Sequence, residues 1–252
     1  MNAESTYRFS RSIDLHSAAL TATATENQML DLWAALETLI PKSSESNKDR
    51  IVQICDQLIQ FLQLNYIEKQ FVELIKDIKT WDSDFYGKKI IKVKGYNASN
   101  EIVSIAAFVT LEENKSLRLE FYKKLEDFPL LKNRIFSIHR MFNCPKNIKK
   151  VLDSHHTKIG WHLRRIYRTR SLIIHSGSYP TYTQILIEHL HNYLDIFIRK
   201  LMEFGTEERI TTIEQAILEI TTIVNYHSDL LDKHKEEDLT IDNFKEALLG
   251  ME

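Results

Sequence analysis

At 252 residues, with 43% apolar side chains, the chain has the composition of a folded soluble domain holding one large core or two small ones. Six glycines and four prolines are few beside the abundant Leu, Ile, Lys and Glu, so a mostly helical protein is expected. Cys55 and Cys144 stand far apart in no CxxC pattern, which excludes a disulfide framework and points to a reducing compartment.

No apolar run reaches the roughly 18 residues of a membrane span, and Met1 to Ala24 lacks the basic start and apolar centre of a secretory leader. A cytoplasmic protein with no membrane partner is expected. The net charge of −2 hides an asymmetry. Leu131 to His175 holds eleven Lys or Arg against the single acid Asp153, whereas Glu203 to Glu252 holds thirteen acids against four bases. A basic surface that collects polyanion, beside an acidic segment that faces elsewhere or covers it, is one reading; two solvated helix faces are the other.

In chain order, Met29, Leu32, Trp33, Leu36 and Ile40 form an apolar stripe at helical spacing over Glu26 to Ile40, stopped by Pro41. "SSESNKD" reads as a polar loop. Ile51, Ile54, Leu58, Phe61 and Leu62 make a second stripe, and Phe71, Leu74, Ile75 and Ile78 a third within Tyr66 to Trp81. Asp82 to Asn100 is rich in turn residues, with a short strand at Ile90 to Val93 left open. "SNEIVSIAAFVTL" reads as a helix capped by Ser99, despite its β-branched residues.

Pro129 opens "PLLKNRIFSIHRMF" as a first-turn proline, and Pro145 opens a long helix or helix pair ending near Gly177. Further helices are expected at Thr181 to Phe204, at Thr206 to about Lys233 with "TEER" as its start, and after a cap at Thr240. The expected architecture is all-α. Residues 1–204 would form one helical domain, and 205–252 an acidic helical extension of it.

Most common chemistries lack their residues. Glycines at 87, 95, 160, 177, 205 and 250 are too isolated for a GxGxxG or Walker loop, and no GxSxG elbow occurs. HExxH is absent, and His155, His156, His162, His189, His191, His227 and His234 are read as lacking a Cys or carboxylate at ligand spacing; His189 and His191 lie about 200° apart on a helix. No metal and no cofactor are therefore expected.

What remains is "RRIYRTRSLIIHSG", Arg164 to Gly177. Ile159, Leu163, Ile166 and Ile173 form its apolar stripe, and Arg170 falls on that face, where a guanidinium needs a carboxylate, a phosphate or a partner subunit. His175 follows five residues on, about 140° round and roughly 7.5 Å along the helix, so the two do not share a face. Arg168, seven residues back, lies nearly in line with it. Gly177 is placed to end the helix, leaving His175 in the last turn beside the C-terminal partial negative charge, a setting that suits proton exchange near neutral pH.

Arg170-Ser-Leu-Ile-Ile-His175 resembles the R-x4-6-H signature of the HEPN superfamily, and "RIYRTRSLIIHSG" is similar to the motif helix of the ApeA-like HEPN proteins of bacterial antiphage defence. Arg134 to His139 also satisfies a bare R-x4-H. The context is more specific: "YRFSRSIDLHSAAL", "NQMLDLWAALETLIP", "PLLKNRIF" and the motif follow in the family's order, over roughly Tyr7 to Phe204. The resemblance implies a HEPN-type helical bundle that works as a homodimer, with the Arg and His of both subunits sharing one cleft.

It further implies metal-independent endoribonuclease action in defence or as a toxin, the ribose 2′-OH attacking the adjacent phosphate to leave a 2′,3′-cyclic phosphate. By position His175 would be the acid/base and Arg170 the phosphate ligand. Ser171, Arg168, Arg165, Arg164, Lys149 and Lys150 would support it or bind RNA. Ser171 stands where many active members carry Asn, Asp or His, and Gly177 stands where a tyrosine-regulated branch carries Tyr. Glu37 is a candidate buried partner for a motif arginine. The alternatives are a non-catalytic module that binds RNA or a protein, or the HEPN part of a larger sensor-effector with an inhibitory or sensor partner. The acidic helices would then restrain activity.

Overall fold

The computed structural model describes residues 1–42, 48–207 and 209–250, and every regular element among them is helical. In chain order these are α1 (Ala3–Thr21), α2 (Thr25–Leu39), α3 (Arg50–Leu64) and α4 (Tyr66–Ile90). Then come α5 (Glu101–Thr110), a 3-10 turn at Glu112–Asn114, α6 (Lys115–Lys124) and α7 (Pro129–Phe142). The motif helix is α8 (Pro145–Ser176), followed by α9 (Thr183–Gly205), α10 (Ile213–Lys233) and α11 (Phe244–Leu249). The chain divides into two compact units, Met1–Leu64 with His155–Thr222, and Asn65–Ser154 with Ile223–Glu252.

The first unit is built on α2. Met29, Leu32, Trp33, Leu36 and Leu39 are buried at 3 and 4 spacing, and α2 packs on α1 and on α9. Trp33 also meets Tyr167 of α8, with ring centroids 5.5 Å apart. Phe61 of α3 stands edge-on to Phe197 of α9 at 4.4 Å. Arg50, the first residue of α3, donates to the carbonyls of Glu37 (2.9 Å), Ile40 (2.6 Å) and Pro41 (3.0 Å), satisfying acceptors that the end of α2 leaves free. Glu37 is therefore a neighbour of Arg50, and among the described residues it makes no ion pair with a motif arginine.

The second unit is centred on α5, whose residues Val103 to Thr110 are all buried, so the helix is enclosed on every face, with Ser104 and Thr110 as its buried polar residues. That burial outweighs the poor helix propensity of its Ile, Val and Thr. Phe108 and Phe121 pack at 4.6 Å, and Trp81 packs on Phe85 at 5.6 Å and Phe128 at 6.0 Å. Gly95, at φ 89°, lets the chain pass where a Cβ would come within 3.1 Å of Ala107.

Several expected boundaries move. The helix from Tyr66 breaks at Asp82 as expected, but Asp82 Oδ1 accepts from the Phe85 amide (2.9 Å) and starts a further helical stretch to Ile90. No strand forms at Ile90 to Val93; these residues are the end of α4 and a turn. Asn100, not Ser99, caps α5, accepting from the amides of Ile102 and Val103. The helix expected from Thr206 starts at Ile213, because Thr212 and Gln215 exchange hydrogen bonds in a capping box at 3.1 Å each way. Thr240 is not the cap of α11, which begins after Asn243. Of the polar loop "SSESNKD", residues 43–47 lie outside the described residues. α1 and α6 are helices beyond those expected from the sequence.

The helices after Gly205 contribute to both cores: Ile213, Ala216 and Ile220 are buried in the first unit, and Leu231, Phe244 and Leu248 in the second. Trp33→Ala, which empties the centre of the first unit, should cost about 3–5 kcal/mol, read as a lower midpoint in denaturant unfolding followed by circular dichroism.

Candidate functional site

α8 delivers the motif to its own last turns. Leu163 and Ile166 have no exposed surface, Ile159 and Ile173 are buried, and Thr169 takes the buried place that the stripe offers between them. Arg170, next to Thr169, is half-buried with Ser171, while His175, Arg168, Arg165 and Arg164 are exposed. Gly177 adopts φ 60° and its amide donates to the Ile173 carbonyl (3.0 Å), so the helix stops two residues past His175. Ser176 Oγ donates to the Leu172 carbonyl (2.7 Å) and shares a hydrogen bond with Ser178 Oγ (2.7 Å).

Within one chain the structure does not bring Arg170 and His175 together. Among the described residues neither side chain makes a hydrogen bond or ion pair. The guanidinium of Arg165 lies 4.9 Å from the Tyr182 ring centre, a cation–π contact. The second R-x4-H match is engaged in the fold of the second unit: Arg134 pairs with Asp77, and His139 donates from Nδ1 to the Val109 carbonyl (2.8 Å).

The basic stretch is divided in the same way. Lys150 is exposed, but Lys149 is held by acidic and polar groups, 3.1 Å from Asp232 and 3.7 Å from Asp153, with a hydrogen bond to Ser228 Oγ. Lys146 reaches Glu236 at 4.0 Å. Asp232 and Ser228 lie on α10, so the acidic segment covers one of the two lysines expected to contact RNA.

His191, set aside above as a metal ligand with His189, stands in the first unit with two groups that the sequence reading does not name, His16 and Asp195. His16 of α1 and His191 of α9 approach with Nε2 atoms 3.1 Å apart. Asp195, one turn along α9, lies 3.0 Å from His191 Nδ1 and 3.6 Å from His16 Nε2. Burial, and then His191, lowers the pKa of His16, so its neutral form is favoured. The His191-x3-Asp195 spacing is a carboxylate at ligand spacing and was readable; that His16, 175 residues away, completes the group was not. His189 goes elsewhere, edge-on to His162 at 4.7 Å, while His162 Nδ1 is 2.9 Å from the Tyr193 hydroxyl.

No family model, curated protein or solved structure matches the chain.

His155 is pushed down from 6.5 to about 4, first by burial and then by Lys158 and His156, against a hydrogen bond with the Leu62 backbone. The unfolded chain therefore binds a proton that the folded chain refuses between these values, so stability should fall as pH drops from about 6.5 to 4. His155→Gln should flatten that part of a plot of unfolding free energy against pH.

Proposed function

We propose that the chain is a HEPN-type helical bundle acting as a metal-independent endoribonuclease on RNA, in antiphage defence or as a toxin. The observation that carries the reading is the end of α8. Half-buried Arg170 and exposed His175 sit in the last two turns before the Gly177 stop, their side chains with no hydrogen bond or ion pair among the described residues. Of the two other R-x4-H matches in the chain, Arg134 and His139 are occupied by structural partners, and His16 of Arg11–His16 stands against His191 and Asp195.

The chemistry follows from the side-chain types. A histidine takes the proton from the ribose 2′-OH or returns one to the leaving 5′-oxygen, and a guanidinium stabilises the charge that builds on the phosphorane-like transition state. Arg170 and His175 of one chain point about 140° apart, so a second copy related by a two-fold axis would complete the cleft. Arg164, Arg165 and Arg168, all exposed, would hold the RNA backbone.

A second reading, a non-catalytic RNA-binding module, is favoured by Ser171, which is short for a polar helper beside the motif arginine. Wild-type protein should leave 2′,3′-cyclic phosphate ends on RNA, and Arg170→Ala or His175→Ala should lower the cleavage rate by about 10²–10⁴. Equal cleavage by all three sinks the nuclease assignment. Salt-sensitive RNA binding with no cleavage by wild type supports the second reading.

Restraint by the acidic segment belongs to the same proposal and rests on the contacts of Lys149 with Asp232 and Ser228. Because α10 and α11 supply core residues, the restraint is tested by charge and not by truncation. Asp232→Asn with Asp153→Asn, which removes both carboxylates beside Lys149, should tighten RNA binding and steepen its salt dependence by about one phosphate contact.

A further inference from the structure

The group formed by His16, His191 and Asp195 has the composition and spacing of a metal-ligand set. One ligand atom from each lies within 4.8 Å of the others. In a tetrahedral zinc site, with metal–nitrogen bonds of about 2.0–2.1 Å, two imidazole nitrogens stand roughly 3.3 Å apart. The 3.1 Å between the two Nε2 atoms is close to that edge, and the 3.6 Å from His16 Nε2 to Asp195 Oδ1 is close to another.

Asp195 reaches both histidines, with Oδ2 3.0 Å from His191 Nδ1 and Oδ1 3.6 Å from His16 Nε2. Side-chain exposure rises from 14% at His16 to 33% at His191 and 42% at Asp195, so the cluster opens on one side to water.

We propose that His16, His191 and Asp195 bind a late first-row divalent cation of the zinc type, through two imidazoles and one carboxylate, with a remaining coordination position open to solvent. Two imidazoles beside one carboxylate select such an ion over magnesium or calcium, which favour all-oxygen ligands. The ion would tie α1 to α9 within the first unit. The site uses no residue of the motif helix, and it stands or falls apart from the ribonuclease reading.

Zinc chloride titrated calorimetrically into the full chain, stripped of metal, should show one strong site and raise the thermal unfolding midpoint. Asp195→Asn, which keeps the shape of the side chain, should weaken that site by about 10–100-fold, and His16→Gln should abolish it. Cobalt(II) in place of zinc should give the visible absorption of a four- or five-coordinate centre in wild type and lose it in His16→Gln. Circular dichroism of the metal-free variants separates lost ligation from lost folding. Zinc binding unchanged in both folded variants would assign it to other histidines and overturn the proposal, as would wild type that binds no zinc stoichiometrically. RNA cleavage measured with and without EDTA reports on the nuclease reading alone.

Discussion

The first unit depends on the burial of a single helix, α2, whose apolar stripe meets α1 and α9 and whose Trp33 meets Tyr167 of α8. Each of those neighbours carries groups with chemistry: His16 on α1, His191 and Asp195 on α9, and Arg170 and His175 on α8. None of these side chains is placed by its own local sequence. They are placed by helices that must all cover the same apolar surface, and the close packing of α2 fixes how each helix turns its polar groups outward.

Arginine serves two opposed purposes here. Arg50 and Arg118 close the C-terminal ends of helices: Arg118, 3% exposed, donates to the Phe108 carbonyl (3.0 Å) and to the Leu111 carbonyl at the end of α5. Their charge is absorbed by carbonyls that would otherwise be buried without donors. Among the described residues the motif arginines on α8 have no such acceptors, and Arg170 is half-buried there. Counting basic residues along the chain does not separate the two uses; the helix ends do.

Much of the fold could be read in the sequence because its helices bury simple stripes. The spacing of Met29, Leu32, Trp33 and Leu36, the prolines at 129 and 145, and the stop at Gly177 each have a direct counterpart in a helix or its boundary. Helix starts set by side-chain hydrogen bonds were misplaced, since Thr212 with Gln215 competes successfully against an acidic "TEER" that only complements a helix dipole. Arg170 looked like part of the apolar stripe because Thr169, with a short amphipathic side chain, can occupy the same buried strip. At the candidate sites, the motif is legible as a local pattern, whereas the group at His16 joins the local pair His191 and Asp195 to a residue 175 positions away, which no spacing along the chain reveals.

The three tryptophans report separately on this arrangement. Trp33 lies without exposed surface in the first unit, Trp81 packs among Phe85 and Phe128 in the second, and Trp161 on α8 is 68% exposed to water. Indole emission shifts to longer wavelength as its surroundings become polar, so the native spectrum is a sum of a shielded and a hydrated component. Chains that retain Trp33 or Trp81 alone would carry an intrinsic optical signal for one unit each, without any attached dye.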